Sequence, residues 1–121
     1  MPDDDVPADL DALVDKWTPL PDVASELGTD VVRVRQMLRD RQLVALRRDG
    51  VLVVPAELLD DDRVVKGLAG LLTVLADAGY DDTEAVRWIF TAEESLPGRP
   101  VDAMRENRGT EVRRRAQALA F

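Results

Sequence analysis

From Leu20 to Val54 the chain reads Leu20-Pro-Asp-Val-Ala-Ser-Glu-Leu-Gly-Thr-Asp-Val-Val-Arg-Val-Arg-Gln-Met-Leu-Arg39 and, after Asp40, Arg41-Gln-Leu-Val-Ala-Leu-Arg-Arg-Asp-Gly-Val-Leu-Val-Val54. A short apolar-periodic segment meets a turn at Gly28, a second periodic segment rich in arginine follows, and two β-branched runs are joined by Asp49-Gly50. Helix, glycine turn, helix and hairpin in that order predict a winged helix-turn-helix. A duplex is then the first partner to consider, because a helix of this size fits the major groove.

Within this stretch Pro19 and Pro21 open the first helix, where a missing N–H would have been unpaired anyway. Val23, Ala24 and Leu27 give it an apolar stripe, and Gly28 ends it in a left-handed conformation that lacks a Cβ penalty. Thr29 or Asp30 caps the second helix, expected over about residues 30–41. Val31, Val34 and Leu38 fall on one face of it, with Met37 alongside. Arg35, Gln36 and Arg39 fall on the other, with Val32 and Arg33 at the margins. The runs Leu43 to Leu46 and Val51 to Val54, separated by Arg-Arg-Asp-Gly, predict a two-stranded hairpin wing over about residues 43–54.

Composition narrows the function. A chain of 121 residues with 45% hydrophobic content suits one core. It has no cysteine and no histidine, so thiolate and imidazole chemistry are absent. No enzymatic activity, metal or cofactor is expected. No apolar run reaches the roughly 18 residues of a membrane span, and Met1 to Leu10 is acidic where a signal peptide is basic, so a cytoplasmic, nucleoid-associated protein is expected.

A net charge of −8 opposes indiscriminate nucleic-acid binding, but the charge is unevenly spread. Met1 to Glu26 carries eight acids against Lys16 alone, whereas Val31 to Arg48 carries Arg33, Arg35, Arg39, Arg41, Arg47 and Arg48 against Asp40 alone. A bland account makes these arginines a solvated face. Against it, Arg35 and Arg39 have no acidic helix partner four positions away, and arginine and glutamine are suited to guanine and adenine edges. Arg113 to Arg115 read as a solvated helix end, and Trp17 and Trp88 as core anchors.

Outside the stretch, residues 1–9 are expected to form a solvated, disordered acidic tail, and Leu10, Leu13, Val14 and Trp17 have helical spacing. The winged helix-turn-helix is assigned to residues 10–62 and a helical C-terminal domain packed on it to residues 63–121. In the latter, helices are expected from Val64 to Ala76, from Asp82 or Thr83 to Phe90, from Val101 to Arg108 and from Thr110 to Leu119.

The segments Leu-Pro-Asp-Val-Ala-Ser-Glu-Leu-Gly and Arg-Gln-Leu-Val-Ala-Leu-Arg-Arg-Asp-Gly-Val-Leu-Val-Val-Pro resemble the excisionase and MerR-type winged helices. Val-Val-Lys-Gly-Leu-Ala-Gly-Leu-Leu-Thr-Val-Leu (64–75), Gly-Tyr-Asp-Asp-Thr-Glu (79–84), Arg-Trp-Ile-Phe-Thr (87–91), Arg-Pro-Val-Asp-Ala (99–103) and the closing Arg-Arg-Ala-Gln-Ala-Leu-Ala-Phe are similar to a small actinobacterial family of winged-helix DNA-binding proteins. The resemblance implies DNA binding through the winged helix, a helical C-terminal domain of unassigned function, and a Ser/Thr kinase as a further partner, since one mycobacterial member is a kinase substrate. Arg-Pro-Val-Asp-Ala-Met with Gly109 and Val112 is also similar to the C-terminal domain of Xre-type antitoxins, which implies the alternative of a protein-binding module.

The expected function is thus a transcriptional regulator of double-stranded DNA, as a monomer or weak dimer because no long heptad seam is present. Arg35, Gln36 and Arg39 are expected at bases, with Val32 beside them. Arg33, Arg41, Arg47 and Arg48 are expected at phosphates, and Thr29 at the helix end, where free N–H groups meet an anion.

Overall fold

A computed structural model describes residues 6–92 and 98–119. Two helices follow one another through a tight turn: α2 (Leu20–Leu27) and α3 (Val31–Arg39), preceded by α1 (Ala8–Leu13) and β1 (Trp17–Pro19). Gly28 adopts φ 69°. Its N–H donates to the Ser25 carbonyl and that of Thr29 to Ala24, so the last carbonyls of α2 are satisfied before the chain turns. Asp30, rather than Thr29, caps α3 by accepting from the Arg33 N–H at 2.8 Å.

The wing is β2 (Leu46–Arg48) and β3 (Val51–Pro55), joined through Asp49 at φ 54° and Gly50 at φ 80°. Two successive positive φ values make the hairpin turn whose twist matches its strands, which explains the Asp-Gly pair. The wing is not two-stranded, however: Trp17-Thr18-Pro19 pairs with the other edge of β3, giving the order β1-β3-β2. Trp17 therefore belongs to a strand and not to the opening helix, which ends where Val14 becomes extended. The run Leu43 to Leu46 is strand only at Leu46. Leu43 and Val44 are buried loop residues.

The description begins at Val6, inside the segment expected to be a free tail; residues 1–5 lie outside the described residues, as do 93–97 and 120–121. The Val6 N–H donates to the Arg47 carbonyl at 2.9 Å, so Val6 lies against the outer edge of β2. Beyond the wing, a 3-10 turn (Ala56–Leu58) and a second small hairpin, β4 (Leu59–Asp60) with β5 (Arg63–Val64), occupy a stretch with no strand expectation.

Four further helices follow among the described residues: α4 (Leu68–Asp77), α5 (Asp82–Phe90), α6 (Pro100–Arg105) and α7 (Gly109–Ala118). α4 starts later than its apolar pattern because Gly67 at φ 90° precedes it. α5 is capped by Asp81, one residue before the expected position, in a reciprocal box with Glu84.

One apolar interior runs through all of these elements, from Leu10, Val34 and Val54 to Leu71, Phe90, Met104 and Val112. Charged side chains reinforce it. Arg105 donates to the Glu57 and Leu59 carbonyls, both at 2.8 Å, and Arg99 bridges Glu57 and Asp102 while lying over the Phe90 ring. These contacts bind α6 to the segment leaving the wing.

Candidate nucleic-acid interface

α3 buries Val34 and half-buries Val31, Met37 and Leu38. At 100° per residue the opposite stripe carries Val32, Arg35, Gln36 and Arg39, with Arg33 at its edge. Val32, Arg33, Arg35 and Arg39 are exposed and Gln36 is half-buried. The sequence-predicted face is therefore a physical surface. Thr29 is exposed just before the cap, next to the start of α3.

Gln36 is not free on that surface. Its Oε1 accepts from Arg39 at 2.8 Å, and its Nε2 donates to both carboxylate oxygens of Asp40 at 3.1 and 3.2 Å. One amide thus links a cation and an anion along a single helix turn. Charge counting registered Asp40 only as the lone acid among the arginines and missed its contact: it holds Gln36 near the C-terminal end of the stripe.

Arg41 follows with φ 56°. Its N–H donates to Leu38 and that of Gln42 to Met37, so Arg41 occupies the position usually given to glycine in a helix-ending turn. It opens, with Arg39, onto a cleft of about 460 Å³ between α3 and the helical half, across from Tyr80, Asp81 and Asp82. Partial burial and neighbouring Asp81 push the Asp82 carboxyl above its ordinary value, against the opposing pull of Arg41.

The neighbours Arg47 and Arg48 are divided by strand alternation. Arg47 stands opposite Leu52, on the sheet face shared with Thr18 and Val54. It lines, with Arg35 and Val31, a trough of about 370 Å³ between α3 and the hairpin, floored by Leu20, Pro21 and Leu52. Arg48 stands opposite Val51 on the other face. There Asp11 accepts from it at 2.9 and 3.4 Å and from the Trp17 indole at 2.8 Å. The hydrogen bond from Arg48 holds the Asp11 carboxyl below the usual carboxylate range, and Asp11 in turn keeps Arg48 more firmly protonated.

Of the side chains expected at phosphates, the geometry brings Arg47 beside Arg35, which was expected at bases, leaves Arg33 and Arg41 toward the two ends of α3, and couples Arg48 to the first helix. A second clasp, between Asp9 and Arg87 at 3.1 Å, ties that helix to α5. Neither acidic partner was visible as such in the sequence, because they lie 37 and 78 residues from their arginines. Arg113, Arg114 and Arg115 are exposed on α7.

Comparison with known proteins places this arrangement. Residues 5–59 match the family model described as the wHTH domain of DNA-binding protein Rv2175c, and residues 65–120 match the Rv2175c C-terminal domain of unknown function. A curated relative, the DNA-binding protein Rv2175c of Mycobacterium tuberculosis, is 46% identical across 84% of this chain and 79% of its own length. The NMR structure of Rv2175c superposes with a TM-score of 0.80 at 44% identity, covering 88% of this chain and 82% of that one. With the two models spanning winged helix and helical half alike, the chain belongs to the actinobacterial Rv2175c family.

Proposed function

We propose that this protein binds double-stranded DNA and acts in the cytoplasm, on the nucleoid, as a transcriptional regulator. α3 enters the major groove, with Arg35, Gln36 and Arg39 at base edges. Arg47 meets the backbone from the wing, joined by Arg33 and Arg41, and by Arg48 once Asp11 releases it. Thr29 and the uncapped N–H groups of the first turn of α3 receive a phosphate. Residues 10–62 form the DNA-facing part and residues 63–121 its buttress.

One observation carries this reading: Arg35 of α3 and Arg47 of the hairpin line the same trough, on a protein whose net charge is −8. A locally cationic surface on an anionic body favours a duplex in one orientation over general adhesion to polyanions. The name of the Mycobacterium tuberculosis relative supports the same partner. Against the antitoxin-like alternative, Val101, Ala103, Met104 and Val112 are buried in the core and offer nothing to a second protein.

Fluorescence anisotropy of a labelled duplex, titrated at several salt concentrations, tests it. Affinity should fall linearly in log–log form as salt rises, by close to one unit of slope per phosphate engaged. A salt-independent affinity, or none at low salt, overturns the reading.

A further inference from the structure

We propose that Val32 is a specificity-determining side chain that docks on the C5-methyl group of a thymine, an inference that rests on the DNA-binding reading above. Val32 is 74% exposed and begins the outward stripe of α3, followed at helical spacing by Arg35, Gln36 and Arg39. Among the described residues, the other exposed large apolar side chains, Val51 on the hairpin and Leu119 at the end of α7, are less open to solvent.

Folding gives no reason for valine here. Most of its surface stays exposed in the free protein, and a β-branched residue lowers helix propensity relative to alanine. Its surroundings point to a reason in the complex. Recognition helices of this type reach base edges chiefly with their N-terminal residues, and Val32 lies in the first turn of α3. Every other member of its stripe is a hydrogen-bonding group. An apolar side chain set among them would strand a donor or acceptor of the DNA unless it met an apolar patch. In the major groove the thymine methyl is that patch. Val32 thus complements the donors beside it by selecting a T·A pair.

The test uses the full chain and the tightest-binding duplex recovered by the wild-type protein from a randomised pool, with each thymine replaced in turn by uracil. That exchange removes one methyl and leaves base pairing intact. Wild-type protein should lose about four-fold in affinity at one thymine, the effect of one methyl brought out of water. Val32→Ala should bind the thymine and uracil duplexes alike, and Val32→Thr, which keeps a γ-methyl, should retain part of the discrimination. Alanine is the better helix former, so the circular-dichroism melt of Val32→Ala should match or exceed wild type, which separates lost recognition from lost fold. Salt-dependent binding with no thymine sensitive to the exchange, or equal sensitivity in wild type and Val32→Ala, overturns the role of Val32 and leaves DNA binding standing. Absence of salt-dependent binding removes both.

Discussion

Arg48 and Asp11 face each other across the outer side of the wing, the guanidinium Nε 2.9 Å from the carboxylate, while neighbouring Arg47 projects from the opposite side toward α3. A surface ion pair of this kind is weak and yields to a denser anion such as a phosphate. Its effect is selective: it quiets one of two adjacent arginines in the free protein.

The two wing arginines should therefore respond unequally to removal. Arg47→Ala is expected to lower the salt slope of DNA binding by about 1, and Arg48→Ala by less, because Arg48 begins with a partner. Asp11→Ala should steepen the slope and tighten binding at low salt by releasing Arg48, and the Asp11→Ala, Arg48→Ala double variant should lose that gain. Anisotropy titrations of the four proteins decide it; equal slopes for Arg47→Ala and Arg48→Ala would contradict the division.

Arg41 holds a left-handed backbone that glycine adopts freely. Arg41→Gly should raise the unfolding free energy by about 0.5–1 kcal/mol in urea titrations, since the side chain's conflict with its own carbonyl disappears. DNA binding should weaken in the same variant, with the slope falling by about 1 if the lost cation neutralised a phosphate. Stability and affinity moving in opposite directions is the diagnostic result.

Gln36 can read an adenine only by breaking its bonds to Arg39 and Asp40. Asp40→Ala should free the Gln36 Nε2 and sharpen the preference at one position of the selected sequence. Gln36→Ala should relax that position by about 1–3 kcal/mol of discrimination, the usual worth of a bidentate base contact. Selection from a random pool with each variant reads both effects. The same recovered motif from all three proteins would remove Gln36 from the base-reading set.

Acid should loosen the N-terminal clasps. The carboxyls of Asp9 and Asp11 are held below their ordinary 3.8 by their hydrogen bonds from Arg87 and Arg48. Groups with depressed native values stabilise the fold above the unfolded value, and that contribution fades as pH falls through the depressed one. Asp82 works in the opposite sense, because its raised value makes the folded chain hold a proton more tightly as pH falls. Urea midpoints should thus decline below about pH 4 and do so less steeply in an Asp9→Asn, Asp11→Asn variant. A pH-independent difference between the two proteins would show that ionisation of Asp9 and Asp11 is not linked to folding.

Local chemistry made much of this legible in the sequence. Gly28, Asp30 and Asp49-Gly50 each announce a backbone geometry that neighbouring residues cannot change, and the 3.6-residue period of Val31, Val34 and Leu38 assigns Arg35, Gln36 and Arg39 to the far side. Trp17-Thr18-Pro19 was hidden because three residues are too few to display alternation, and Trp17 happens to continue a helical spacing from Leu10. The small hairpin at 59–64 was hidden likewise, its turn made of aspartates in place of glycine. The partners Asp11 and Asp40 were absent from the expected site because an acid counts against DNA in any charge tally, while their effect depends on which arginine or amide each one touches.

The single apolar interior has a last consequence. Because Leu10, Val34, Val54, Phe90 and Met104 share it, and α6 grips the exit of the wing through Arg105, the winged-helix half is no interchangeable cassette. Transplanting it onto a foreign partner, or trimming away the helical half, would open to water the interior that Leu10, Val34 and Val54 share with Phe90 and Met104. Selection acting on either half of this protein must therefore reckon with the other.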